Sequence, residues 1–170
     1  MKKSAFLLLL VTMILSSCGS SKKKNAVVIS KNSKRVSKPV EKTPKKIKRI
    51  INYAMTFDGT KYKYGGTTRK GMDCSGLIYT SFKKEEVILP RTSRAMSTQG
   101  KSISLKKVAV GDLLFFKTNK NKNVINHVGL VVATRGEVKF IHASVSKGVT
   151  VSSLNERYWN NCFVGIKRVL

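Results

Sequence analysis

The sequence predicts one α+β domain over residues 44–170, with helices first and an antiparallel β-sheet after them. Three observations carry this expectation. Ile47, Ile50, Ile51 and Ala54 recur at i, i+3, i+4 and i+7 with lysines among them, the period of a helix with one apolar face. After Gly100 the pattern changes to LLFF, VGLVV, VKFIHAS, VTVSSL and CFVGIKRVL, short β-branched or aromatic segments separated by the Gly, Asn and Lys residues of turns. Ahead of both, GSSKKKNAVVISKNSKRVSKPVEKT (residues 19–43) carries too little apolar content to offset the entropy of folding. Helices followed by a run of strands indicate α+β architecture, and about 125 residues suffice for one core.

Element by element, Thr43 followed by Pro44 reads as an N-cap with proline at the first helical position. GTKYKYGG then forms a loop. A second helix is expected from Cys74, because Leu77, Ile78 and Phe82 return at roughly helical spacing after the small and polar residues of GMDCSG. A short polar helix over Ser93 to Gln99 precedes the sheet. Cys162, inside the last strand-like run, is expected in the core.

The N-terminus predicts export. Lys2 and Lys3 precede an apolar run from Ala5 to Val11, which reads as the signal peptide of residues 1–17 and is too short for the roughly 20 residues of a membrane span. It ends in LSSC, which resembles a bacterial lipobox. The resemblance implies cleavage before Cys18, lipidation of that cysteine, and a basic flexible tether over residues 18–43. Gly19, where an Asp would commonly retain a lipoprotein at the inner membrane, points to the periplasmic face of the outer membrane.

Export governs how the charge is interpreted. The chain has 34 basic and 8 acidic residues, a formal net charge of +26, which in a cytoplasmic protein would suggest nucleic acid. Outside the cytoplasm the available anions are lipid head groups and cell-wall carboxylates. No nucleic-acid partner is expected.

Cys74 raises the central chemical question. A lone cysteine is usually a small buried hydrophobe, but one at a helix start meets unpaired N–H groups and the helix dipole, which favour a thiolate. A thiol nucleophile needs a base, and the base needs an orienting group. The only two histidines are His127 and His142. If Arg135-Gly136 forms a two-residue hairpin loop, Thr134 faces Glu137 and His142 lies opposite Gly129, which leaves space beside it. His127 is then its diagonal neighbour on the same sheet face, within roughly 7–8 Å. Paired with an imidazolium, Cys74 is expected to titrate in the range of roughly 3.5–7.5.

YKYGGTTRKGMDCSG, LPRTS, GDLLFF, HVGLVV and FIHAS followed by GV after three residues together resemble the NlpC family of papain-like cell-wall cysteine peptidases, over nearly all of Tyr53 to Leu170. The resemblance implies a papain-like fold and a Cys74, His127, His142 triad. It also implies oxyanion or substrate contacts from Tyr62, Asp73, Ser75 and Arg91, no cofactor or metal, and a monomer acting on peptidoglycan peptides. The polar loop KTNKNKNVIN before His127 departs from the pattern and can reshape the groove rim.

Three alternatives compete with a hydrolase. Cys, His and His are zinc ligand types, but no C-x-x-C or H-E-x-x-H pair is present. A non-catalytic wall-binding lipoprotein would keep the fold without the reaction. An acyltransferase would pass the same thioester to an amine.

Overall fold

The isoleucine stripe forms α1 (Lys45–Met55), which buries Ile47, Ile50 and Ala54. The computed structural model describes residues 43–170, so the expected signal peptide, Cys18 and nearly all of the tether lie outside the described residues. Pro44, not Thr43, occupies the N-cap, and no side chain caps this helix. With ψ at 143°, Pro44 is still extended, and its carbonyl accepts the N–H of Lys48 at 3.1 Å.

Tyr62 of the following loop bridges to Met72 in the two-residue strand β2 (Gly71–Met72), which pairs with β1 (Thr67–Thr68). Gly66 is required at this turn, because a Cβ there would lie 2.2 Å from the Gly71 carbonyl oxygen. Helix α2 (Cys74–Lys83) follows directly and buries Leu77, Ile78 and Phe82. Helix α3 (Ser93–Met96) is a single turn, shorter than Ser93 to Gln99.

The sheet comprises β3 (Lys101–Ile103), β4 (Leu113–Phe116), β5 (His127–Ala133), β6 (Lys139–Ser144), β7 (Gly148–Ser153) and β8 (Phe163–Arg168). Its order is β3-β8-β4-β5-β6-β7, antiparallel throughout. Helix α4 (Arg157–Cys162) lies between β7 and β8 in the chain. Cys162 therefore ends a helix, half-buried, instead of sitting within a core strand. Both described cysteines, Cys74 and Cys162, are free thiols.

Alternation along the strands gives the sheet two buried faces. Phe115, Val128, Leu130 and Ile141 pack with Leu77 and Phe82 of α2, while Phe116, Val131 and Phe140 pack with Trp159 of α4. The β5–β6 connection departs from expectation in a way that cancels. Leu130 pairs with Ile141 and Val131 with Phe140, but a bulge then shifts the register so that Ala133 pairs with Lys139. The turn is longer than two residues, so Thr134 and Glu137 do not close a tight loop. The bulge inserts one residue and restores the parity that this odd-length connection would have reversed. Gly129 leaves no void: a Cβ there would meet the Phe140 ring at 2.4 Å, so that ring fills the space expected beside His142.

Candidate active site

Asp73 determines where Cys74 sits. Its side chain caps α2 by accepting the Gly76 N–H at 2.6 Å, which makes Cys74 the first helical residue. The same carboxylate accepts the Gly65 N–H at 2.7 Å, the Ser75 hydroxyl at 3.2 Å and both ends of the Arg91 guanidinium at 2.9 and 3.0 Å. Arg91 also donates to Ser75 Oγ at 2.9 Å and to the Gly66 carbonyl at 3.3 Å. Burial acts to raise the Asp73 pKa. The Arg91 hydrogen bonds, the Gly76 and Gly65 amides and the Arg91 charge together hold it below the usual carboxylate range. Asp73, Ser75 and Arg91 do border the cleft, but most of their polar atoms are engaged with one another and with the loop and helix that carry the thiol.

Cys74 is 7% exposed and opens into a cleft of about 500 Å³ with Tyr62, Tyr64, Arg91, Ile125 and Asn126 on its walls. Its Sγ lies 4.0 Å from the Asn126 carbonyl oxygen. The Val128 N–H also interacts with the sulfur, so the residues on both sides of His127 meet it. Burial pushes the thiol pKa up and the Asp73 charge adds to the rise, against the lowering pull of the Val128, Ser75 and Cys74 amides. The expected fall into the acidic range therefore does not occur at rest: the thiol is too well buried and its nearest fixed charge is negative. Tyr62 shares the cleft, and burial, followed by the charges of Cys74 and Asp73, keeps its phenol protonated. The polar loop reaches the rim through Ile125 and Asn126. It is tied back by the Thr118 N–H to Asn126 Oδ1 at 2.8 Å and by Asn126 Nδ2 to Thr118 Oγ1 at 2.9 Å.

His127 opens β5, and its Nε2 lies 3.1 Å from Nδ1 of His142 in β6. Nε2 of His142 lies 3.1 Å from the Ser152 hydroxyl in β7. Trp159 stacks on His127 with ring centroids 5.1 Å apart and meets His142 edge-on at 4.5 Å. Phe116 and Phe140 complete this aromatic surround. His127 is 8% exposed and His142 is fully buried. Desolvation lowers the His127 pKa to about 4 despite the Asp73 charge. Burial, together with the charges of His127 and Lys147, lowers that of His142 to about 3. Both rings are neutral near pH 7.

Ser152 and Trp159 escaped sequence reasoning. Ser152 follows from the β6–β7 register, in which His142 faces Thr150 and Phe140 faces Ser152, placing it diagonal to His142 on one face. Trp159 lies in RYWNNC, too short to declare a helical period. Among the described residues, no group of three His, Cys, Asp or Glu side chains gathers to hold a metal ion.

Comparison with known proteins extends beyond this geometry. The sequence profile described as the NlpC/P60 family matches residues 59–168. The chain belongs to the NlpC/P60 family. It is 37% identical over 123 residues to the Escherichia coli K12 protein named murein DD-endopeptidase MepS/murein LD-carboxypeptidase, covering 72% of this chain and 62% of that relative. It is 39% identical over 115 residues to the probable endopeptidase NlpC of the same strain, covering 67% of this chain and 72% of the relative. The chain thus spans about three fifths of the length of MepS. Among solved structures, an NlpC/P60 family protein from Bacillus cereus matches with a TM-score of 0.67 and 28% identity over 73% of this chain and 40% of that one. The NlpC/P60 match takes in Tyr62, Asp73, Cys74, Arg91, both histidines and Ser152.

Proposed function

We propose that this NlpC/P60 domain is a cysteine endopeptidase that hydrolyses peptide bonds in peptidoglycan stems or crosslinks, with Cys74 as nucleophile, His127 as base and His142 as its orienting partner. The observation that carries this is the relay from His127 through His142 to Ser152 beside a capped helix-start cysteine. The murein DD-endopeptidase name of the MepS relative supports the substrate class, and the probable endopeptidase name of NlpC supports the reaction type.

With both rings neutral, one proton lies between His127 Nε2 and His142 Nδ1. If His142 donates its Nε2–H to Ser152 Oγ, His142 Nδ1 is an acceptor, His127 donates Nε2–H to it, and His127 Nδ1 keeps its lone pair. That is the tautomer a base requires. The thiol transfers its proton to His127 as Sγ attacks the carbonyl carbon, so the ion pair forms during the reaction and does not stand in the resting site. The Cys74 N–H at the start of α2 and the protonated Tyr62 hydroxyl are the donors available to the oxyanion. The C–N bond then breaks as His127 protonates the leaving nitrogen, leaving a thioester on Cys74. Water, deprotonated by His127, releases the acid and restores the thiol.

The LSSC motif supports a lipid anchor at Cys18, and Gly19 supports the outer membrane as its site. Digestion of purified peptidoglycan with the full chain, followed by mass spectrometry of the new amino and carboxyl ends, tests the reaction. Intact peptidoglycan would refute it. Product masses with an added acceptor amine distinguish hydrolysis from acyl transfer. Fractionation of the wild type and Cys18→Ala tests the anchor.

A further inference from the structure

Two concavities meet the reacting groups, and they share no wall. The cleft already described contains Cys74 but not His127. A second cavity, about 440 Å³, is lined by His127 and His142 but not by Cys74. In the reaction proposed above, the acyl half of the substrate becomes bonded to Sγ, whereas the leaving nitrogen must come within proton-transfer reach of His127. The released residue therefore belongs on the histidine side.

The chemistry of that side is specific. Ser144, Ser146 and Thr150 present hydroxyls, Tyr158 forms an exposed aromatic wall, and Lys147 brings a positive charge. Glu156 also borders the cavity, but its Oε1 accepts the Ser153 N–H at 2.7 Å. Among the described residues no carboxylate lies within ion-pair distance of the Lys147 ammonium. Its charge reaches His142 and helps to depress the pKa of that ring.

The turn that carries Lys147 is held in place. Its N–H donates to Ser144 Oγ at 3.4 Å. Gly148 follows at φ +72°, where a Cβ would lie 2.3 Å from the Thr60 carbonyl oxygen. Val149 N–H donates to that same oxygen at 2.8 Å, and Gly59 N–H donates to the Val149 carbonyl at 2.9 Å. The backbone of this turn is thus held at the edge of a hydroxyl-lined cavity, and the Lys147 ammonium, with no carboxylate partner among the described residues, is open to an anion from outside.

We infer that this cavity binds the residue released as the amine, and that the Lys147 ammonium holds a free carboxylate on that residue. The inference rests on the peptidase reading and adds its leaving-group specificity. A residue inside a peptide chain has no free carboxylate beside its leaving nitrogen. A C-terminal residue has one, as does a diamino acid that crosslinks two stems through its second amino-acid centre.

The test uses the muropeptide that the full-length wild type cleaves and the same muropeptide amidated at the carboxylate of the released residue. The wild type should prefer the carboxylate form in kcat/KM by about threefold to fivefold, the upper range of an exposed ion pair. Lys147→Met should bring the two substrates within twofold by losing activity on the carboxylate form alone. Lys120→Met, on the polar loop, should leave the preference unchanged. Mass spectrometry of the released amine distinguishes a single amino acid from an opened crosslink, and either supports the inference if its carboxylate is free. A released residue without a free carboxylate, or an equal preference in wild type and Lys147→Met, overturns it. Failure of the wild type to cleave any peptidoglycan overturns the peptidase reading itself, and this subsite with it.

Discussion

Asp73 and His142 are both almost wholly buried, at 6% and 0% exposure, yet one keeps its charge and the other does not. Asp73 has a guanidinium and two backbone N–H groups aimed at it, enough to outweigh desolvation. His142 has one neutral ring, one hydroxyl and aromatic walls, so desolvation prevails and its pKa falls to about 3. The thiol side is built on a permanent ion pair and the base side on the exclusion of charge. This difference suits a reaction in which the nucleophile must be placed firmly and the base must start neutral. It also means that the two sides should fail in different ways.

The largest effects should be on turnover. Cys74→Ala removes the proposed nucleophile and should abolish muropeptide cleavage while thermal melts stay close to wild type, because a first-turn Ala fits the helix. His127→Asn should be nearly as inactive, since an amide cannot exchange protons near neutral pH. His142→Ala should reduce single-turnover cleavage by about a hundredfold, within the range of general acid–base contributions. His142→Asn can still accept a hydrogen bond from His127 and should retain more activity. Wild-type turnover in Cys74→Ala would remove the thiol side from the chemistry. Wild-type turnover in His142→Ala would remove the third member.

Acid should discriminate the two sides next. A histidine whose folded pKa is about 4 or 3 against an unfolded 6.5 takes up its proton more readily when unfolded. Stability is therefore full above pH 6.5 and is lost as pH falls toward the folded values. By pH 5 each ring should cost about 2 kcal/mol, or about 4 kcal/mol together. The depressed pKa of Asp73 keeps the thiol side charged through this window. Denaturant melts from pH 7 to 4.5 should show the loss, and His142→Gln should roughly halve its slope. A flat profile above pH 5 would contradict the dry environment assigned to the pair.

The thiol side should answer to charge instead. Asp73→Ala removes the α2 cap and leaves the half-buried Arg91 without its carboxylate, which should cost about 3 kcal/mol, or a melting temperature lower by about 10 °C. Asp73→Asn keeps an acceptor for Gly76 and should cost less. Equal losses for the two would mean that the cap matters little beside the ion pair.

These contrasts also explain what could be read in advance. The stripe of Ile47, Ile50 and Ala54 declares α1 because a helix repeats its face every turn, and Cys74 falls at a helix start because Leu77, Ile78 and Phe82 return in phase. Asp73 is a cap residue by type and position, so its structural role was available in the sequence, although the resemblance placed it at the groove. The histidine pair was legible through strand parity, but only because the bulge between Val131 and Ala133 offset a longer turn; no local pattern announces that compensation. The thiol pKa was not legible. Helix-start position is local, whereas the burial that outweighs it needs a core assembled from distant segments, with Val128 packed in the same cluster and the Asn126 carbonyl at the sulfur. Trp159 and Ser152 depend on the packing of α4 and on the β6–β7 register, which sequence period alone does not supply.

The smallest expected effect probes the far end of the relay. Ser152→Ala leaves His142 Nε2 buried without its hydroxyl partner, at a cost of about 1–2 kcal/mol in stability. It also removes the hydroxyl that can hold His142 in its Nε2–H tautomer, so His142 can switch to its Nδ1–H tautomer, donate to His127 Nε2 and leave neutral His127 with its single proton on Nδ1. That form cannot act as a base. The turnover number should fall about threefold to tenfold with KM unchanged, and nitrogen NMR of the rings should show a mixture where the wild type carries its His127 proton on Nε2. Ser152→Thr keeps the hydroxyl on a β-strand that favours it and should restore both signals. Loss of stability with no change in tautomer or turnover would leave Ser152 as packing alone, and the relay would then end at His142.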